Sequence, residues 1–262
     1  MSCGAQINVT PERVEVIGHG VTQGEYVDNN EAKAQMGWAD RTVLVTCGLL
    51  NPDKGLETAL AALDLIRREV PNVLLVIAGE THPDCQHCAT YFADLRLLVT
   101  KYGLQEHVQF ISRFLPADEL DTIMRAADYV VAAYINSAIS NSGTVCAVPL
   151  LLCVSESEIL PLWFASQLST AMAMGRVVVA TPFLHAKQAL SEARGLLVPF
   201  NDAKQMAASV VRSCRDPVAA ATMRRRAYDY MAQFRWSEVG NRHLDIFRHF
   251  VAHQHQQQLQ TP

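Results

Sequence analysis

The sequence predicts an α/β protein built on a doubly wound, Rossmann-like parallel sheet. Two observations lead there. Thr42–Cys47 and Val73–Ala78 are continuous apolar runs that end on glycine, as strands covered on both faces do. Stretches of helical periodicity, ten residues or longer, separate such runs, and that alternation means βαβ units and a parallel sheet. The chain has 262 residues, half of them apolar and 18% charged, enough for one large domain or two small ones with a real core.

The elements follow in order. Val14–Ile17 is a short strand ended by Gly18-His19-Gly20, and Asn29–Met36 is a short helix or linker. Thr42–Cys47 is a strand, and Gly48 to Gly55 is a turn. Leu56–Arg68 is an amphipathic helix whose Leu56, Leu60, Leu63 and Ile66 share a face, closed by Pro71. Val73–Ala78 is a strand, Tyr91–Tyr102 a helix capped by Gly103, and Val108–Ile111 a third strand. Pro116–Ala127 is a helix with Asp118 and Glu119 in its first turn, where they suit the helix dipole. Tyr129–Ala133 is the fourth strand; a helix ending at Gly175 precedes the fifth, Val177–Ala180. Phe183–Ala193 is helical, Gly195–Val198 a sixth strand, and Asp202–Cys214, Val218–Phe234 and Ser237–Ala252 are helices. Ligands of such sheets bind outside the carboxyl ends of the strands. The loops there are Gly48–Gly55, Gly79–Cys88, Ser112–Pro116, Asn136–Thr144 and Thr181–His185.

A net charge of −4 gives no reason to expect nucleic acid or an anionic membrane as partner. The seven cysteines are irregularly spaced, and a core this apolar needs no disulfides, so a reduced cytoplasmic setting is expected. No signal peptide is visible at the N-terminus. Ser155, Glu156, Ser157 and Glu158 cut the apolar run Val145–Leu162 well short of the ~20 residues a membrane span needs. The polar tract from His253 to Gln258 reads as a fraying tail.

The stretch Asn136–Thr144 follows a strand and precedes a helix, and it carries Ser142, Gly143 and Thr144. A strand, a glycine-containing turn and a helix N-terminus make an anion site. With it stand Pro11-Glu-Arg-Val-Glu-Val-Ile-Gly-His-Gly-Val21, Cys47-Gly-Leu-Leu-Asn-Pro-Asp-Lys-Gly55 and Ala78-Gly-Glu-Thr-His-Pro83. Further on come Ala126-Ala-Asp-Tyr-Val130, Ala171-Met-Ala-Met-Gly175, Val179-Ala-Thr-Pro182, Gly195-Leu-Leu-Val-Pro199 and Trp236. In this order the motifs resemble the C-terminal, donor-binding half of a family 4 glycosyltransferase of the GT-B fold. The resemblance runs from Pro11 to Phe247 except across residues 145–167.

The resemblance implies transfer of a sugar from a nucleotide-diphosphate sugar to an acceptor, with retention at the anomeric carbon, no essential metal and no further cofactor. It implies that an N-terminal acceptor domain is missing. Residues 1–41 are then a hinge remnant, 42–235 the nucleotide-sugar domain, 236–252 a helix returning to the absent half, and 253–262 a disordered tail. Lys54 matches the lysine that meets the donor diphosphate, where a cation offsets charge on the leaving nucleotide. Ser142, Gly143 and Thr144 match the turn that caps the diphosphate, and Arg113, Phe114 and Leu115 the segment lining the base pocket. Many relatives carry an Arg-Leu pair where this chain has Leu49-Leu50, and an acidic pair where it has Ile139 and Thr170. Catalytic residues are therefore not assigned, and the isolated chain is expected to be inactive.

Relatives run directly from Ser-Gly-Thr into the helix that begins here near Leu168, so Val145–Gln167 is extra. Valine codons begin with GT and a glutamine codon can be CAG, so a retained intron or gene-model error fits these ends. A true insertion loop is the alternative.

Each candidate has a bland reading beside it. Lys54 is a phosphate contact or a solvated helix-start lysine; Ser142 to Thr144 are the diphosphate turn or an ordinary cap. His82, Cys85, His87 and Cys88 have metal-like spacing, but with no second cysteine pair nearby they read as incidental thiols and histidines on a loop. His19 approaches the donor or belongs to a turn. Arg113 meets phosphate or solvent; Glu192 and Arg194 reach the donor sugar or are surface charges; Met172 and Met174 pack a helix. Two rival functions remain. One is a non-catalytic nucleotide-sugar module or truncated pseudoenzyme. The other is a dehydrogenase, against which stands the absence of Gly-x-Gly-x-x-Gly after the first strand.

Overall fold

The computed structural model describes residues 17–80, 88–137 and 167–259. Among these residues six strands form one sheet: β1 (Thr42–Cys47), β2 (Val73–Ala78), β3 (Val108–Ile111), β4 (Tyr129–Ala132), β5 (Val177–Ala180) and β6 (Leu196–Leu197). Every pairing is parallel and the order is β3-β2-β1-β4-β5-β6. That is the doubly wound arrangement expected, with its switch in strand order between β1 and β4.

All residues of β2, β4 and β5 are buried, as are the last five of β1. Valine-rich runs of this kind sit in the sheet's interior because both faces are covered. Helix α2 (Leu56–Ile66) buries Leu56, Leu60, Leu63 and Ile66 against one face, the stripe that its sequence periodicity marks out. The other helices are α1 (Asn30–Gln35), α3 (Cys88–Tyr102), α4 (Ala117–Ala126), α5 (Gln167–Ala173), α6 (Leu184–Ala189), α7 (Ala203–Arg215), α8 (Pro217–Met231) and α9 (Trp236–Leu259). Asp202 and Asp216 cap α7 and α8 by accepting from the Gln205 and Ala219 amides at 2.9 Å.

Two compact units emerge. Gln23–Ala232 is the α/β unit, and the described residues before and after it form the second. The α/β unit thus begins well before Thr42. The reason is Asp128: its carboxylate accepts from Asn29 Nδ2 at 2.7 Å, from the Val43 amide at 2.8 Å and from Lys33 Nζ at 2.6 Å. That knot ties α1 to the start of the sheet, so residues 29–41 are part of the domain rather than a linker. In the second unit, Val21 bridges to Arg235 and the His19 ring meets the Trp236 indole edge-on at 5.2 Å. Helix α9 carries on to Leu259, through the polar tract where the sequence argues for fraying. The strand expected at Val14–Ile17 lies almost wholly outside the described residues. Among those residues no helix is long and apolar enough to cross a membrane.

Candidate functional site

The register shows how the crevice arises. β1 pairs with β2 along its whole length, from Thr42↔Val73 to Cys47↔Ala78. With β4 it pairs only at Leu44↔Tyr129 and Val45↔Val130, while β4 stays with β5 to Ala132↔Ala180. Beyond Val45 the sheet therefore splits, and the tips of β1 and β4 part.

The loop after β1 crosses this split. Pro52–Lys54 forms a single 3-10 turn and Gly55, at φ 60°, opens α2. A Cβ on Gly55 would stand 2.1 Å from the Ala133 carbonyl oxygen, so only glycine permits this approach. The Ile135 amide donates to the Asp53 carbonyl at 3.2 Å, fastening the turn to the segment that leaves β4. Lys54 is thereby held at the switch point. Its ammonium donates to the Tyr134 hydroxyl at 3.1 Å and lies 5.0 Å from the centre of that ring. An ammonium has three donors; among the described residues Tyr134 is the acceptor that Lys54 reaches, and no carboxylate pairs with it.

Tyr134 is itself fixed. It is 2% exposed, its carbonyl accepts from Thr181 Oγ1 at 2.8 Å, and its ring meets Phe183 edge-on at 5.0 Å. Gln167 completes the floor. Its Oε1 accepts from the Cys47 amide at 3.0 Å, which β4 leaves unpaired, and its Nε2 donates to the Tyr134 hydroxyl at 3.5 Å. Burial pushes the Cys47 thiol up to about 11, with Lys54 pulling the other way, so Cys47 is a neutral packing group and no nucleophile. Nearby on the same edge, Ser169 Oγ and His185 Nε2 are 3.0 Å apart, and burial lowers the imidazole below its ordinary 6.5. A cation with donors to spare, beside main-chain turns at the carboxyl edge of the sheet, is suited to an anion such as a diphosphate.

The expected residues distribute unevenly. Ser142, Gly143 and Thr144 lie outside the described residues, as do Ile139, residues 145–166 and the set His82, Cys85 and His87. Gln167 belongs to α5 and to the site, so the helix starts one residue before the expected boundary at Leu168. Of the base-pocket segment, Leu115 is buried in the domain while Phe114 is 54% exposed. The Arg113 guanidinium is paired with the Glu119 carboxylate. Thr170 is half-buried in α5, and Met172 and Met174 are buried. Arg194 is a structural residue. It donates to the carbonyls of Ala189 and Gln188 and to Ser191 Oγ, lies 3.9 Å over the Tyr230 ring, and precedes β6, at the opposite edge of the sheet from Lys54. The open cavity of about 530 Å³ lined by Glu192, Arg194, Arg226 and Asp229 is at that same far edge and is not the candidate site. Among the described residues no group of three His, Cys, Asp or Glu could hold a metal ion.

Tyr134 and Gln167 escape sequence reasoning because their partners lie far along the chain. A glutamine opening a helix near the switch point is the faint signal that could have found the second.

Residues 41–216 match the family model described as glycosyl transferases group 1. A GDP-mannose-dependent alpha-(1-6)-phosphatidylinositol monomannoside mannosyltransferase of Mycolicibacterium smegmatis is 32% identical over 119 residues, 44% of this chain and 29% of that protein. A D-inositol 3-phosphate glycosyltransferase of Saccharomonospora viridis is 24% identical over 259 residues, 94% of this chain and 52% of that protein. The crystal structure of Anabaena HepE in complex with UDP superposes with a TM-score of 0.71 at 19% identity, covering 93% of this chain and 59% of that one. The chain thus spans about half the length, or less, of the curated relatives it matches. A match covering the switch-point loop, the sheet and helices α2 to α7 shows that the chain belongs to the group 1 glycosyl transferases.

Proposed function

We propose that this chain binds the diphosphate of a nucleotide sugar across the split between β1 and β4, as the donor half of a retaining glycosyltransferase. The observation that carries the proposal is the Lys54 ammonium, anchored at the switch point by a neutral phenol rather than a carboxylate. On donor binding, phosphate oxygens replace or join the Tyr134 hydroxyl as acceptors. During transfer the bond from the anomeric carbon to the diphosphate breaks as one to the acceptor's oxygen forms, the acceptor's proton passes to the departing phosphate, and Lys54 offsets the charge left on the nucleotide. No metal is invoked. The names of two relatives supply the bases to try: UDP sits in the HepE complex, and GDP-mannose is the donor in the mycobacterial enzyme's name.

A second reading has its own support. Thr170 stands in α5 where the family resemblance calls for an acidic residue, and it carries no charge with which to take part. A module that binds the nucleotide without transferring sugar would need no such residue.

Titration calorimetry with UDP, GDP and NAD tests the proposal. UDP or GDP should bind and NAD should not. Lys54→Met should weaken diphosphate binding roughly tenfold or more, the loss of a charge-assisted contact. Binding of NAD alone, or equal affinities in Lys54→Met, would refute it. Sugar turnover by the full chain would eliminate the non-catalytic reading.

A further inference from the structure

The amino-terminal edge of the sheet carries a second charged pocket. It has a volume of about 210 Å³, some seven times a water's share of the liquid. Its walls come from the starts of β1, β4 and β5, from α1, and from α7 and α8. Two charge systems meet there, and only one is closed. Lys33 and Asp128 neutralise one another at 2.6 Å, and Asp128 also accepts from Asn29 and the Val43 amide.

Arg224 is the open one. It projects from α8 one and two turns beyond Ala220 and Pro217, which line the same pocket. Its Nε is buried with no hydrogen-bond partner, and among the described residues no carboxylate pairs with its guanidinium. A buried donor left so is destabilising until an acceptor reaches it. A second guanidinium aggravates this. Arg176 is 2% exposed and donates to the carbonyls of Met174, Arg125 and Val27, neutral acceptors that leave its charge uncancelled. Burial and then the nearby Arg224 push Arg176 down to about 10. Asp216, just before Pro217, accepts from the Ala219 amide as the cap of α8. The pocket therefore has excess positive charge, an orphaned guanidinium donor, and the Ser213 and Cys214 side chains in its wall.

We infer that this pocket binds a phosphate group, free or as a small monoester, with Arg224 as its main ligand and Arg176 as supporting charge. It is a different site from the donor crevice, which lies at the other end of the strands, and it does not depend on the function proposed above. A tetrahedral dianion supplies what Arg224 lacks: acceptors in a planar fork and two negative charges to set against two guanidiniums.

The test uses the full chain and three proteins: wild type, Arg224→Met, and Lys54→Met to silence the donor crevice. Inorganic phosphate and glycerol 3-phosphate are titrated against chloride at matched ionic strength while Tm is followed. Wild type and Lys54→Met should be stabilised alike, and Arg224→Met should bind roughly tenfold more weakly. Without phosphate, Arg224→Met should melt no lower than wild type, because it relieves the repulsion of Arg176. Stabilisation lost in Lys54→Met but kept in Arg224→Met would send the anion to the crevice and overturn the inference; so would no stabilisation of any protein. Should Arg224→Met fail to fold, maleimide labelling of Cys214 in Lys54→Met decides. Phosphate should slow labelling at that residue, read by peptide mapping, and an unchanged rate overturns the inference. Response to phosphate but not to glycerol 3-phosphate assigns the free ion; response to both assigns the monoester class.

Discussion

The two edges of the sheet treat a lysine in opposite ways. At the amino-terminal edge, Lys33 is matched by Asp128 at 2.6 Å, with 10% and 21% of their side chains exposed. At the carboxyl edge, Lys54 meets the hydroxyl and face of Tyr134. The first lysine has a full counter-charge and holds two segments together. The second has a neutral partner that orients it without cancelling its charge. Lysine at a sheet edge is structural when its partner is an anion built into the fold, and available for a ligand when its partner is a dipole.

The largest effect should come from breaking the closed system. Asp128→Ala leaves Lys33 buried without its anion and orphans the Val43 N–H, while the Asn29 amide keeps the Ala126 and Ala127 carbonyls. A loss of about 3–5 kcal/mol in urea unfolding is expected. A loss no greater than that of Lys54→Met would erase the distinction between the edges. Gln167→Leu should come next. It removes the acceptor of the Cys47 amide at the split and should cost about 1–3 kcal/mol while leaving the Lys33–Asp128 edge untouched. Stability unchanged by this substitution would mean that the crevice floor does not need the glutamine.

The smallest effect concerns pH. His185 is held below its ordinary 6.5 by burial, so the folded chain takes up its proton less readily than the unfolded chain. Its contribution is complete above pH 6.5 and falls away as pH drops below that value toward the folded pKa. His185→Gln should flatten that acid limb of the stability curve, measured by Tm between pH 7 and 5. An unaltered limb would assign the acid sensitivity elsewhere.

The strands were legible because their signals are local. Thr42–Cys47, Val73–Ala78, Val108–Ile111 and Val177–Ala180 occupy the residues their apolar runs mark. Lys54 was legible for a similar reason, as part of a turn whose glycine and proline have fixed geometric duties. Helix ends were less so: Phe183–Ala193 shrinks to Leu184–Ala189 because Glu192 and Ala193 adopt positive φ and Arg194 folds back on the preceding carbonyls. Tyr134 and Gln167 were not legible at all. Their contacts to Lys54 and Cys47 reach across 80 and 120 residues of sequence, and no local pattern encodes them. Asp128 looked like one letter of a family motif, yet its carboxylate gathers α1 into the domain.

The split between β1 and β4 also bears on motion. At the tip of β1 the Cys47 amide hangs from the Gln167 side chain, not from a neighbouring strand. A rotamer change in this one buried glutamine can therefore loosen the mouth of the crevice while the β1–β4 pairs at Leu44 and Val45 stay closed. The entrance can breathe without the sheet beginning to unfold.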